Sequence, residues 1–364
     1  EIAAQLVLEK DVLSEEFIEM VASTYDLAGY EYIFIWLDDF NAFEAKVMYS
    51  ELFSKLLKAL NNIGKKPIMA YGGYESIILC NTGADLLSII NLKSLEIKKI
   101  LFSLSETPVG PHSIRVYEDK IISANNYNDS ISIFLKSSMQ EIKNISVGPK
   151  PNDLVKVRDK VYTICGESNA IVAYDLNQNR VLWELNTGNW PHSIDYCNEN
   201  NLIFVSNLEE NCTNIIRVKD YHIVKTLSTP EYPIKVKISN NKKFIYICES
   251  YLGSDENGYL DVFSIDTFKR VARIEVGTSP IDLYEDINHI YVTNFTEGSI
   301  SIINKEKYCV EKTLYIGGMP KGILKKDNKL YIGDYLKGRL IILEKNKIEK
   351  IIAVDSEPNA MILF

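Results

Sequence analysis

Short apolar runs punctuated by turn residues fill the chain from about residue 75 to its end. One stretch shows the pattern: positions 281–284, 289–293, 299–304 and 310–316 are alternating or wholly apolar, with Asn, Asp, Glu, Gly and Lys between them. Runs of this length, rich in Ile, Val and Tyr, predict strands, and four in succession with short connections predict a four-stranded antiparallel unit. The unit recurs. A small or polar residue, a proline, two further positions and then an apolar strand stand at Gly110-Pro111-His112-Ser113-Ile114, Lys150-Pro151-Asn152-Asp153-Leu154 and Trp190-Pro191-His192-Ser193-Ile194. Pro233, Pro280, Pro320 and Pro358 continue the series, with steps of 40, 40, 42, 47, 40 and 38 residues along it. A second mark closes the strand that follows, at Asn81, Asn125, Cys165, Asn207, Glu249, Asn294 and Asp334.

Four-stranded repeats of about 40–45 residues predict a mainly β fold, a β-propeller whose blades pack face to face around a central channel. Six full repeats start at the prolines from Pro111 to Pro320, while only one strand follows Pro358. Residues 75–104 supply three strands without a first one, so the C-terminal strand completes a seventh blade with them and removes an open sheet edge. Residues 74–364 then average about 42 per blade, which fits a seven-bladed ring.

The literal Tyr291-Val292-Thr293-Asn294 and the Val276-Gly277-x-x-Pro280 signature resemble the YVTN-type β-propeller repeat family, which includes the YncE-like proteins. The resemblance covers residues 74–364 and implies the same propeller. It implies binding and surface roles more than any chemistry, because a fold does not specify a function. The Gly-His and Trp-Asp marks of WD-type repeats are absent.

Residues 1–73 lack the period and predict a small α/β segment. Ser14-Glu15-Glu16 is a helix start, with Phe17, Val21, Tyr25 and Ala28 at helical spacing before Gly29. An apolar strand over 32–37 leads into Asp38-Asp39, a second helix is predicted over 43–60, and a short strand over 67–71. Helix, strand, helix, strand resembles part of a parallel β/α fold or barrel. Three readings stay open for it: an appendage, part of a larger domain, or a fusion. Asp38 and Asp39 stand where β/α proteins place catalytic groups, but no second acid, His or Lys motif accompanies them, and capping of the next helix near Asn41 accounts for them.

With 40 basic and 49 acidic residues the net charge is −9, which argues against nucleic acid or an anionic membrane surface as partner. The apolar runs fall far short of the ~20 residues a spanning helix needs, so no membrane insertion is expected. Six cysteines show no Cys-x-x-Cys pair and no register that would join them, and residues 1–11 lack a basic start and apolar core. Both point to a cytoplasmic protein, with export or a cell-surface place left open because the chain does not begin with Met.

Candidate chemistry gathers at the repeat prolines. His112 and His192, two of only four histidines, hold the same repeat position. The residue after each proline should begin an innermost strand at one channel mouth, which makes a ring of His112, Asn152, His192, Ile234, Ile281, Lys321 and Asn359. The next ring includes Ser113, Asp153, Ser193, Lys235 and Asp282. A polar, hydrated channel wall explains these residues, and so does a small-ligand site including Asn152 and Lys321. A metal site would want three or more ligands, and the histidines lie two blades apart, so no metal or other cofactor is expected. Tyr127, Tyr251, Phe295 and Tyr335 fall in turns on the face that carries the proline connections, and Trp190 and Tyr232 in those connections. Aromatics gathered on one face suit a binding surface. The acidic insertion around Asp255-Glu256-Asn257-Gly258 does not match a calcium loop, and Asn257-Gly258 predicts a hairpin turn.

The reading that follows is a non-enzymatic propeller presenting one face to a protein or small-molecule ligand. The alternative is a propeller lyase or hydrolase at the channel mouth, with His112 or His192 as base assisted by Asp153 or Asp282.

Overall fold

Seven four-stranded antiparallel sheets form a ring in the computed structural model, which describes residues 4–9, 14–26, 32–38, 55–56, 59–60, 62, 66–69, 76–230 and 232–364. Blades 1 to 6 occupy residues 111–146, 151–186, 191–228, 233–278, 280–315 and 320–353, each with its strands in chain order across the sheet. Blade 7 joins the two ends: the strand Pro358–Leu363 pairs antiparallel with Ser76–Asn81, followed by Leu86–Asn91 and Ile97–Leu101. The predicted closure is present, and it is sealed by reciprocal backbone bonds between Ser76 and Phe364.

The core lies between blades rather than within them. Strands with branched apolar side chains on both faces have to be covered on both, and a ring does this for every sheet. Thus Tyr246, Leu260 and Ile274 of blade 4 pack with Leu283, Ile290 and Val292 of blade 5. Likewise Ile300 and Ile302 of blade 5 meet Ile323, Ile332 and Ile341 of blade 6. Across the closing junction, Ile77, Leu79 and Ile90 meet Tyr331, Leu340 and Ile342.

Every blade begins at its repeat proline, and every first strand is an edge strand of its sheet. Proline has no N–H to donate, which suits the start of such a strand. Directly after it the register slips by one residue in all seven blades, as in Pro151 opposite Cys165 and Asp153 opposite Ile164. The slip is a β-bulge at the position after the proline, and a bulge re-aims the side chain it carries.

The face that carries the proline connections is built on a second repeated device. The residue just past the second strand donates its N–H to the carbonyl just before the proline: Asn126 to Gly110, Gly166 to Lys150, Leu208 to Trp190, Ser250 to Tyr232, Phe295 to Ser279, Tyr335 to Met319 and Thr82 to Glu357. In six of the seven blades the acceptor residue holds a left-handed backbone, including Trp190, Tyr232 and Glu357. Where the second strand ends in Asn in blades 1, 3 and 5, that residue is buried and bonds within its own blade. Asn125 donates to Ser130 and Ser132, and Asn294 to Ser299 and Ser301.

Three blades lack the Asn: Cys165 stands there in blade 2, Asp334 in blade 6 accepts from the Met319 N–H and from Arg339, and blade 4 carries an acid without such donors. Glu249 takes the Asn position with no exposed surface, and neither carboxyl oxygen has a hydrogen-bond partner. Burial, then the buried Asp261 carboxylate, pushes its pKa well above the ordinary value against the opposing Arg273 and Arg270. The insertion here also differs from expectation. Asn257-Gly258 begins a strand, Asn257–Ser264, and the chain turns earlier, through Tyr251 and Gly253 in left-handed conformations.

Residues Glu1–Glu75 form a separate compact unit from Ser76–Phe364. It contains β1 (Ala4–Glu9), α1 (Glu15–Asp26), β2 (Tyr32–Asp38) and β3 (Lys66–Met69), with β2 central and parallel to both neighbours. The strand β1 was not predicted, since Ala4–Glu9 is a brief run between charged residues that also suits a helix. The Ser14 hydroxyl accepts the Phe17 N–H, the cap expected of it. Ile18 and Val21 of α1 are buried, as are Leu56 and Leu60. Most of the predicted 43–60 helix, Asp39, Asn41 and the Asp38 side chain lie outside the described residues.

Two outcomes are expected. A chain ending at Pro358 should melt well below the parent, while one starting at Gly73 should retain the propeller transition, both read by thermal unfolding. Glu249→Gln should raise Tm at pH 8 by about 2 °C or more. A raised folded pKa favours the fold fully below the unfolded value of 4.5 and less as pH rises through the folded pKa, so the gain should shrink towards pH 4.5.

Candidate functional site at one mouth of the channel

First strands of adjacent blades pack against one another and ring the channel. Each has one sheet neighbour, so backbone groups along its other side need partners from elsewhere. Side chains of the preceding blade supply them. His112 Nδ1 donates to the Asn152 carbonyl at 2.7 Å, and His192 Nδ1 to the Ile234 carbonyl at 2.8 Å. Asn152 Nδ2 reaches the Pro191 carbonyl at 2.9 Å, and Thr82 Oγ1 the Pro111 carbonyl at 2.6 Å. Further along, Asp153 accepts the Ile194 N–H at 3.3 Å, Asp195 the Ile238 N–H at 2.7 Å, and Asp282 the Ile323 N–H at 3.4 Å.

A carbonyl partner requires Nδ1 of each histidine to carry the proton, so in the neutral ring Nε2 holds the lone pair. No hydrogen bond to either Nε2 occurs among the described residues. The two rings meet across the mouth edge to face, 5.6 Å between centres at an angle of 87°. Burial lowers the His112 pKa to about 3, helped by the charge of Lys321 and by His192. Burial likewise brings His192 to about 4, with Lys321 and Lys235 adding to the shift. Both are neutral imidazoles at physiological pH. Two blades of separation along the ring therefore do not keep these side chains apart, contrary to the expectation from repeat spacing.

Lys321 shares this ring. Burial drops its pKa to about 8 despite the Glu357 and Asp282 charges, and its ammonium lies 4.7 Å from the centre of the Tyr335 ring. Tyr335 is raised to about 12 by burial and by the neighbouring Glu357 carboxylate. The mouth thus joins the proline ring to the aromatic rim.

Below it the channel wall is an alternating charge chain. Arg115 pairs with Asp153 at 2.7 Å and Lys235 with Asp282 at 3.3 Å. Burial works to raise the Asp153 pKa, and the cations Arg115 and Lys235 overcome it, so the carboxyl sits below its ordinary value. Burial works to lower Lys235, and Asp282 and Asp153 hold it above. Asp153 and Asp282 are therefore engaged with cations and backbone. Asn152 is also withdrawn from the open surface: it is buried, and its Oδ1 accepts from Asn126 Nδ2.

The aromatic candidates divide. Tyr127 is 52% exposed with Lys150 over its ring, and Phe295 packs 5.9 Å from Tyr335. Tyr251 packs on Tyr259, which carries Arg273 at 5.4 Å. Trp190 and Tyr232 are half-buried in the connections, each with its N–H held by an Asn side chain, Asn169 and Asn211. Arg115, Glu357 and Thr82 complete the site and were not singled out from the sequence. A charged residue within an apolar inner strand was the available signal for Arg115.

The fold and site define a seven-bladed β-propeller with a polar, histidine-bearing channel mouth. No protein-family model matches this chain and no curated protein matches it in sequence, so the likeness to YVTN-type proteins rests on the repeat motif itself. Solved structures match in fold. A functionally unknown protein from Desulfotomaculum acetoxidans is 11% identical with a TM-score of 0.67, covering 79% of this chain and 98% of its own. Hydrazine synthase from Kuenenia stuttgartiensis is 17% identical with a TM-score of 0.63, covering 71% and 91%. Virginiamycin B lyase from Staphylococcus aureus is 15% identical with a TM-score of 0.59, covering 71% and 88%. No described helix is long and apolar enough to cross a membrane, and none of the six cysteines is disulfide-bonded.

Because the folded pKa of each histidine lies below the unfolded 6.5, each contributes stability that is full above pH 6.5 and is lost progressively as pH falls from there to the folded values of about 4 and 3. Between pH 7 and pH 4.5 the parent should lose more unfolding free energy than the His112→Asn/His192→Asn double variant, measured by chemical denaturation.

Proposed function

We propose that this propeller is a binding protein that takes a small polar ligand into the His112–His192–Lys321 mouth. The observation that carries the reading is the meeting of two neutral imidazoles and one ammonium beside Tyr335. Lys321 offers charge, and no carboxylate forms an ion pair with it among the described residues. Two Nε2 lone pairs accept hydrogen bonds from hydroxyl or N–H groups, and the Tyr335, Phe295 and Tyr127 rings offer apolar faces. A ligand with an anionic group, neighbouring hydroxyls and a flat apolar side answers all three. Screening hydroxy acids, sugar acids and aromatic carboxylates by thermal shift and calorimetry should yield a binder. Lys321→Met should weaken that binder about tenfold or more, the scale of one charge-assisted hydrogen bond, and Tyr335→Ala should weaken it too. A binder indifferent to both variants would place the ligand elsewhere.

A second reading, a lyase or hydrolase, is favoured by one feature. A neutral histidine whose Nδ1–H is anchored and whose Nε2 is open is the state a general base requires. One solved structure of similar fold is named a virginiamycin B lyase. Turnover of a bound ester, lactone or β-elimination substrate, lost in His112→Asn or His192→Asn with binding retained, would establish this reading over the first.

A further inference from the structure

The two histidines carry an arrangement that a channel wall does not require. Holding the carbonyls of Asn152 and Ile234 needs only a donor, and asparagine does that work at the same ring position in Asn152. Histidine adds a second nitrogen, and it is present twice, on rings 5.6 Å apart. Each imidazole has its Nδ1–H tied to a backbone carbonyl, the kind of bond that orients metal-ligating histidines and leaves Nε2 as the donor atom. An ion held by two Nε2 atoms at ~2.0–2.1 Å keeps the ring centres about 5–6 Å apart at ordinary bond angles. The observed separation falls in that interval.

We propose that His112 and His192 form an open two-histidine site for a borderline divalent transition ion such as Zn(II), with the remaining coordination positions taken by water or by an oxygen of a small ligand. Among the described residues no group of three or more His, Cys, Asp or Glu surrounds them, so the site is half protein and half open. Two imidazoles select Zn(II), Ni(II) or Cu(II) over Mg(II) or Ca(II), which prefer oxygen ligands. Lys321 works against a bare cation, and it would attract an anionic co-ligand to the open positions. The ion site stands independently of the organic ligand proposed above, because the ion alone is the probe.

The test is calorimetric titration of the tag-free, chelator-washed full chain with zinc chloride at pH 7, supported by the visible spectrum of the Co(II) form. One Zn(II) per chain is expected, with a rise in Tm that magnesium does not give. His112→Asn and His192→Asn keep a donor for the carbonyl, so they should fold, and each should weaken Zn(II) at least about tenfold. His289→Gln should leave binding unchanged, because His289 sits apart with Asp286 and Glu311. Lys321→Met should tighten Zn(II), the reverse of its effect on an anionic ligand. Absence of stoichiometric binding overturns the proposal. So does binding that survives in both asparagine variants, binding lost in His289→Gln alone, or binding lost in Lys321→Met, which would make the amine a ligand. Organic-ligand binding measured in the presence of chelator separates this outcome from the preceding reading.

Discussion

Seven sheets standing on edge around an axis leave seven unpaired strand edges facing the channel, and the rest of the wall answers to them. In most proteins an open edge is covered by another strand, a helix or water. Here the preceding blade reaches over with one side chain at each level. Thr82, Asn152, His112 and His192 donate to carbonyls, and Asp153, Asp195 and Asp282 accept N–H groups. Buried backbone groups without partners cost ~1–3 kcal/mol each, so this is a strong constraint on residue type. It makes the channel polar before any ligand is considered, and it brings charges of both signs there. The carboxylates that serve N–H groups need compensation in turn, which Arg115 and Lys235 provide.

The upper face follows from a different economy. One backbone bond per blade pins the second turn to the residue before the proline, and the acceptor adopts a left-handed conformation that only Gly, Asn and Asp visit readily. Trp190, Tyr232 and Glu357 accept that strain in the same position where blade 1 uses Gly110. Side chains are thereby held on the face that carries the connections, beside Tyr127, Phe295 and Tyr335. Glu249 shows the cost of departing from the pattern. Unlike Asp334 at the same position, which meets Arg339, this acid finds no donor, and burial with the nearby Asp261 charge raises its pKa well above the ordinary value.

At the mouth, histidine satisfies the edge with one nitrogen and keeps the other. That division separates a wall residue from a site residue within one side chain. Asn152, between the two histidines in the ring, spends both ends of its amide on the fold. The Lys321 ammonium, resting on Tyr335 with no carboxylate paired to it among the described residues, likewise has no structural employment comparable to that of Lys235.

Proline spacing, strand alternation and the incomplete first and last repeats were enough to specify the ring, its seven blades and the pairing of residues 358–363 with 76–81, because local strand patterns and turn chemistry repeat along the chain. Residues that share a ring level were legible for the same reason. Distances across the channel were not. Repeat position says that His112 and His192 lie at one height, but bulge direction and the carbonyl each ring must reach decide that they meet at 5.6 Å. Asp153 and Asn152 read alike as open polar groups, and only packing of adjacent blades showed them buried. The strand Ala4–Glu9 was missed because its short run between charged residues suits a helix as well, and the parallel neighbour that makes it a strand, Tyr32–Asp38, is a tertiary fact. Local chemistry therefore determined the architecture, whereas the site depended on contacts between residues far apart along the chain, which no local pattern encodes.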